Sequence, residues 1–238
     1  MRLTILGCNG PYPVPGGATS GYLAEAAGVR LALDLGSGVL SALTGRMEPA
    51  DLDAVILSHW HYDHCADLLI LSYRLGALGR RLTLYAPEDP GQPVCAACAA
   101  SGVFDLRFYA PGDTFAVGGV TVRTAPARHP VRAAMLRLEA EGKTLVYTGD
   151  TNTAEALPGF AAGADLFLAD GPLTRAAWDE KKPHLSGALA AQYAAEAGAA
   201  RLVLTHLIPA VDPVALLREA REIRPDAVLA SAGRTFDL

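Results

Sequence analysis

Short apolar runs bounded by glycine, proline or aspartate recur along the whole chain. Most are four to six residues long and rich in leucine, valine and alanine, as expected for buried strands. They predict strands at 3–6, 21–24, 31–35, 54–57, 82–85, 106–109, 120–124, 134–138, 144–148, 166–169, 202–205 and 227–230. This is more strands than a simple doubly wound sheet contains, so we expect two mixed sheets packed together with helices outside.

Helical patterns lie between several of these runs. Ser186 is a candidate N-cap for a helix that ends before Gly198. Asp212 followed by Pro213 gives a cap and a proline at the first helical position, which opens a second helix. The 66–76 segment places leucines on one broad helical face. These helices would cover the outer faces of the sheets.

Composition narrows the class of protein. The 238 residues are 51% hydrophobic and 19% charged, which excludes disorder and favours one domain over residues 1–238, with halves of about 1–115 and 116–238. The net charge of −5 and only two adjacent basic pairs argue against a basic nucleic-acid-binding stripe. Four cysteines are too few for a disulfide scaffold, and we interpret Cys95 and Cys98 as packing residues. The N-terminus does not resemble a signal peptide and no run suits a membrane span, so we expect a cytoplasmic protein.

The chemistry is concentrated in one segment after the predicted strand at 54–57. It contains His59, His61, Asp63 and His64, so three of the six histidines fall within six residues. Two imidazoles two residues apart in an extended loop project to the same side, with Asp63 and His64 displaced along the loop. Mixed imidazole and carboxylate ligands suit zinc, with manganese or iron as alternatives. The segment therefore predicts a metal site.

The remaining histidines follow apolar runs or lie in turns. His129 and His206 come after predicted strands, His184 lies in a Lys-Pro-His turn, and Asp150 ends the run at 144–148. Loops held by rigid strands are the usual position for a preorganised metal site. Distant parts of the chain therefore offer further ligands.

These motifs resemble those of the metallo-β-lactamase superfamily. The His-x-His-x-Asp-His segment at 59–64, the Thr-Gly-Asp ending at Asp150 and the late His206 carry the resemblance, which covers nearly the whole chain. It implies the α+β fold of that superfamily, an αβ/βα four-layer sandwich of two mixed sheets flanked by helices, with two divalent ions between the sheets. Carried over by motif, one ion takes His59, His61 and His129, the other takes Asp63, His64 and His206, and Asp150 bridges both.

Other features resemble the ribonuclease Z branch of phosphodiesterases. They are the glycine- and proline-rich loop at 7–20 and the His-Leu-Ser at 184–186. In that branch a carboxylate pairs with this histidine, which serves as proton donor; here Asp170 stands where glutamate is usual, opposite His184. The tRNA-binding arm of the branch is missing, since only a hairpin fits between His129 and Asp150. We therefore expect a small anionic phosphodiester or ester substrate, no membrane and no tRNA partner, while the branch implies a homodimer.

The resulting hypothesis is a phosphodiesterase in which a metal-bridging hydroxide attacks phosphorus. Asp63, His184 and Asp170 are its catalytic residues, and Arg128 or Arg132 could hold a phosphate. A lactone, thioester or β-lactam hydrolase on the same fold is the main alternative. Redox chemistry at a diiron site is weaker, because flavodiiron relatives typically carry glutamate at the position of His61. A non-catalytic metal-binding module remains the last alternative, although the ligand set is complete.

Overall fold

Two seven-stranded mixed sheets pack face to face in the computed structural model, which describes residues 1–238. In spatial order the first sheet runs β14-β1-β2-β3-β4-β5-β6 and the second β13-β12-β11-β10-β9-β8-β7. The first contains β1 (Arg2–Gly7), β2 (Gly21–Ala26), β3 (Val29–Leu35), β4 (Ala54–Ile56), β5 (Leu82–Pro87), β6 (Phe104–Tyr109) and β14 (Thr235–Asp237). The second contains β7 (Thr114–Val117), β8 (Val120–Pro126), β9 (Ala134–Ala140), β10 (Lys143–Tyr147), β11 (Leu166–Asp170), β12 (Leu202–Thr205) and β13 (Val228–Leu229).

Seven α-helices lie outside the sheets and near their edges. They are α1 (Val39–Thr44), α2 (Tyr62–Cys65), α3 (Asp67–Leu78), α4 (Pro93–Ala100), α5 (Leu157–Phe160), α6 (Gly187–Glu196) and α7 (Pro213–Arg221), with one 3₁₀ turn at Pro49–Asp51. Ser186 accepts a hydrogen bond from the amide of Leu189, and Asp212 accepts one from Val214, so both predicted caps are formed. No helix is both long and apolar enough to cross a bilayer.

Three apolar cores hold the four layers together. The central core joins the inner faces of the two sheets and includes Leu33 from the first and Leu168 from the second. A second core packs α1, α3 and α4 onto the first sheet and buries Cys95 and Cys98. The third packs α5, α6 and α7 onto the second sheet. Burial on both faces explains why most strands appear in the sequence as continuous apolar runs, and the predicted α+β four-layer architecture is confirmed.

Both sheets change from antiparallel to parallel pairing part of the way across. In the first sheet β3, β4, β5 and β6 are parallel, and in the second β10, β11, β12 and β13 are parallel. The carboxyl ends of parallel strands meet at one edge, where open α/β sheets place their ligands. The segments that follow β4, β10, β11 and β12 carry the predicted site residues.

Candidate metal centre

All seven residues predicted as metal ligands converge at these strand ends. The first half of the chain contributes the segment after β4, and the second half contributes the loop joining β8 to β9 and the ends of β10 and β12. The side chains form two overlapping groups, His59, His61, His129 and Asp150 in one and Asp63, His64, Asp150 and His206 in the other. Asp150 belongs to both groups, which is the position the resemblance implies for a bridging ligand.

Three imidazoles define the first group. Nδ1 of His61 lies 3.1 Å from Nε2 of His59 and 3.1 Å from Nε2 of His129. Tetrahedral zinc with bonds of about 2.0–2.1 Å holds its nitrogen ligands roughly 3.3 Å apart. The imidazole spacing is therefore close to what one shared cation requires. His61 and His129 are only partly buried, so the group is accessible from solvent.

Carboxylates and imidazoles alternate in the second group. Nε2 of His206 lies 3.1 Å from Oδ2 of Asp63 and 3.3 Å from Oδ2 of Asp150. Nε2 of His64 lies 3.2 Å from Oδ1 of Asp150. Oxygen and nitrogen ligands together are suited to zinc, manganese or iron.

Two buried polar atoms at this point have no hydrogen-bond partner in the protein. They are Nε2 of His64 and Oδ1 of Asp150. An unpaired buried polar group costs about 1–3 kcal/mol, and native structures rarely keep one without a reason. The two atoms face each other at 3.2 Å. Burial would lower the pKa of His64, but in the metal-free protein the carboxylates of Asp150 and Asp34 raise it. A divalent cation that displaced the proton of Nε2 would satisfy both atoms together. The residues present therefore fit the metal ions that the resemblance implies.

Outer hydrogen bonds fix which nitrogen each histidine presents. Nδ1 of His64 donates to Oδ2 of Asp34 at 2.8 Å, and Nδ1 of His129 donates to the carbonyl oxygen of Pro183 at 3.2 Å. Nδ1 of His59 lies 3.0 Å from the hydroxyl of Ser58. Each bond leaves Nε2 free for a cation, which is how metal-ligating histidines are usually oriented.

Burial and neighbouring charges tune the protonation of the ligands. Burial holds the pKa of His59 well below its ordinary value, so this imidazole is neutral and able to ligate. Burial alone would raise the pKa of Asp150, but in the metal-free protein the imidazoles of His206 and His64, when protonated, hold that pKa well below its usual range. Asp150 is therefore ionised, as a bridging ligand must be.

The pair predicted for proton transfer is formed beside the second group. Nδ1 of His184 lies 3.0 Å from Oδ2 of Asp170 and 3.9 Å from Oδ2 of Asp150. The shorter aspartate therefore reaches the histidine, although the ribonuclease Z branch uses glutamate here. Burial disfavours the charged form of His184, but the charge and hydrogen bond of Asp170 raise its pKa to about 9. Its side chain is 15% exposed, so it can reach a bound molecule.

A polar side chain that the sequence interpretation did not single out holds the loop before His184. Nδ2 of Asn152 donates to the carbonyl oxygens of Asp179 and Lys182, at 3.1 and 2.6 Å. The guanidinium of Arg128 donates to Thr153 Oγ1 and to the carbonyl of Glu180, at 2.8 and 3.0 Å. Arg128 therefore uses two of its N–H donors for loop contacts, and phosphate binding by Arg128 or Arg132 stays a prediction.

Asp34 was also missed by the sequence interpretation. It lies fully buried in β3 with a left-handed backbone conformation, φ +57°. Its carboxylate accepts bonds from the amide and hydroxyl of Ser58, from His64 and from the hydroxyl of Tyr147. The available signal was an aspartate inside the apolar run at 31–35, because aspartate is almost never fully buried unless it is paired.

Local structure differs from the sequence expectation in the segment after β4. Asp63 and His64 lie in the short helix α2, with His61 at its N-cap position, and not in an extended loop. The glycine-rich loop packs directly on the site, since a Cβ at Gly10 would overlap the ring of His206. Gly10 therefore permits the close approach of the loop to the second group.

Comparisons with known proteins agree with this geometry. A family model described as Beta-lactamase superfamily domain matches residues 34–207. A probable metallo-hydrolase, YhfI of Bacillus subtilis, is 32% identical over 87% of this chain and 87% of its own. A ribonuclease Z of Mycobacterium bovis is 31% identical over 90% of this chain and 88% of its own. The crystal structure of YhfI superposes with a TM-score of 0.93 at 31% identity, covering 99% of this chain and 98% of that one.

Proposed function

The chain belongs to the beta-lactamase superfamily of metallo-hydrolases, and on that premise we propose that it is a dinuclear phosphodiesterase. His59, His61 and His129 would hold one divalent ion, Asp63, His64 and His206 the other, and Asp150 would contact both. Such ions, zinc first among them, lower the pKa of bound water to about 7 and polarise a phosphoryl group. The relatives support hydrolysis, and the phosphodiester specificity is our proposal.

The His184–Asp170 pair is the observation that carries this proposal. In the metal-free protein Asp170 raises the pKa of His184 to about 9, so this histidine is built to carry a proton beside the candidate metal centre. Because Nδ1 is held by Asp170, Nε2 is the atom that can donate a proton to the leaving oxygen. An alkoxide leaving group needs such a donor, and a bound phosphodiester would supply the negative charge that this histidine attracts. The amide of Thr151 also donates to Oδ2 of Asp170, at 2.9 Å, and orients the carboxylate.

Metal analysis combined with a substrate panel tests the proposal. The panel contains bis(p-nitrophenyl) phosphate, cyclic nucleotides and short RNAs, with lactones and thioesters as the carbonyl class. We expect two divalent ions per chain and turnover of phosphodiesters. Metal-replete protein that cleaves only the carbonyl substrates would overturn the proposal in favour of the ester hydrolase.

Two variants separate metal binding from proton transfer. Asp63→Ala should lose the second ion, and unchanged metal stoichiometry in that variant would refute the ligand assignment. His184→Gln should keep both ions and lose about 10²–10⁴-fold in rate on substrates with an alkoxide leaving group, the cyclic nucleotides and short RNAs. Lys181→Gln is the matched control, because it removes an exposed cation from the same loop without touching the site. Equal activity in the two loop variants would remove His184 from the mechanism.

A further inference from the structure

A cavity lies at the ends of β5 and β6, outside the candidate metal centre. Its volume is about 560 Å³, within the range of ligand pockets. The ends of β5 and β6 form one wall with Pro87 and Phe108, and the loop at 127–133 forms the other with Val131 and Arg132. Because β4, β5 and β6 are parallel neighbours, this wall lies at the same sheet edge as the metal-binding segment.

Both walls are tied to the metal-binding segment by hydrogen bonds. The indole of Trp60 donates to the carbonyl oxygen of Pro87 at 2.7 Å, and the amide of Ala134 donates to the carbonyl of Ser58 at 3.0 Å. The loop that lines the cavity also carries His129, which belongs to the first group of ligands. One loop therefore carries both a candidate ligand and part of the cavity lining, which places the two features next to each other along the chain.

The cavity wall combines apolar and charged side chains. Phe108 is 46% exposed and belongs to none of the three cores, so its ring is not needed to hold the layers together. Pro87, Pro126 and Val131 add further apolar surface. Arg132 is the single cationic side chain of the lining, and Nη1 of its guanidinium donates to the carbonyl of Glu88 at 2.8 Å. This bond joins the two walls.

We propose that this cavity binds a flat aromatic group attached to the phosphodiester, on the side of the phosphorus that keeps its ester bond. The inference rests on the proposed function and extends it to substrate class. An exposed aromatic ring offers a stacking surface for planar heterocycles, and this stacking does not depend on which heterocycle is bound. The carboxylates of Glu88 and Asp113 in the lining disfavour a second phosphate there, so the preferred substrate is a small diester with one aromatic substituent.

The test compares two esters with the same leaving group. Thymidine 5′-(p-nitrophenyl phosphate) carries an aromatic base, and methyl p-nitrophenyl phosphate carries none. We expect a higher kcat/KM for the thymidine ester. Phe108→Ser should lower that kcat/KM about fivefold to a hundredfold, mainly through KM, and leave the methyl ester unchanged. Tyr73→Ser is the matched control, because it removes a 78% exposed ring on α3.

The outcomes distinguish this inference from the proposed function. If both esters are cleaved without preference, or if Phe108→Ser slows both equally, the cavity inference is wrong while the phosphodiesterase stands. If neither ester is cleaved, the proposed function fails, and equilibrium dialysis of the thymidine ester decides about the cavity. Binding that weakens in Phe108→Ser and not in Tyr73→Ser supports the cavity, and absence of binding overturns it. Thermal unfolding of both variants shows that they are folded.

Discussion

Removing the hydroxyl of Tyr147 tests how the two sheets fix the metal centre. Tyr147 lies in β10 of the second sheet, and its hydroxyl donates to Oδ2 of Asp34 at 2.7 Å. The same oxygen accepts from Nδ1 of His64 at 2.8 Å. The other donors to this carboxylate come from Ser58, which belongs to the first half of the chain. Tyr147 is thus the one contact through which the second sheet holds the carboxylate that orients His64.

The expected magnitude follows from burial and charge. Tyr147 and Asp34 are 1% and 0% exposed, so water cannot replace the lost bond. A hydrogen bond to a charged group contributes about 1.5–3 kcal/mol, and Tyr147→Phe should lower the free energy of unfolding by that amount. For a domain of this size the midpoint of thermal unfolding should fall by roughly 3–12 °C. Substitution of a residue that hydrogen-bonds a metal ligand lowers metal affinity about 10–100-fold. Tyr147 contacts Asp34 and not the ligand His64 itself, so we expect a loss of about 10-fold.

Tyr22→Phe provides the matched control. Tyr22 is equally buried, its ring lies 5.0 Å from that of Tyr147, and its hydroxyl pairs with the neutral hydroxyl of Thr205 at 2.7 Å. Its loss should cost about 0.5–1.5 kcal/mol, and because Thr205 is not itself a ligand it should lower metal affinity less than Tyr147→Phe does. Thermal unfolding of metal-free protein and zinc titration measure both effects. Wild-type zinc affinity in Tyr147→Phe, with destabilisation no larger than in Tyr22→Phe, would refute the reasoning.

Two further predictions concern proton and metal binding. In metal-free protein the fold raises the pKa of His184 from an ordinary 6.5 to about 9. Protonation of His184 therefore stabilises the folded state by about 3 kcal/mol below pH 6.5, and this contribution is lost as pH rises through 9. Chemical unfolding should therefore show a gap between wild type and His184→Gln that is large at pH 6 and small at pH 10; a pH-independent gap would contradict the assignment. Gly10→Ala should displace His206 and lose one metal ion per chain, whereas Gly76→Ala in α3, with free space around it, should keep both ions and gain about 0.5–1 kcal/mol. Equal metal content in the two glycine variants would show that the loop does not press on the site.

The sequence predicted most strands, and the two it missed have a common physical cause. All twelve apolar runs correspond to strands, because strands buried on both faces are continuous in hydrophobicity. The missed strands are β7 and β14, which lie at the edges of their sheets. Positions in β7 alternate between exposed and half-buried, and in β14 only Phe236 is buried. β6 and β13 are also edge strands and were predicted, so the edge position alone does not hide a strand. β7 and β14 are short, and neither has more than one buried residue.

The site residues that lie close together in the sequence could be predicted, and those that meet only in the folded structure could not. The segment at 59–64 signals metal binding because histidine is rare and local spacing is informative. Asp34 and Tyr147 are 113 positions apart and meet only when the sheets pack, so no local pattern marks their contact. Asn152 is similar, because its partners are backbone carbonyls of a loop about 30 residues later. Every residue has a backbone carbonyl, so the sequence does not show which carbonyls will accept the hydrogen bonds of Asn152.

Three of the four buried carboxylates of the site differ in how the protein satisfies them. Both oxygens of Asp34 accept hydrogen bonds from protein donors, so this charge needs no cation. Oδ1 of Asp150 has no hydrogen-bond partner, and Nε2 of His64, which lies 3.2 Å away, is unpaired as well. Oδ2 of Asp170 is paired and its Oδ1 is not, and its partner His184 carries the compensating charge. The same residue type therefore orients a ligand, faces a cation or supports a proton donor, according to which of its oxygens the fold leaves unpaired.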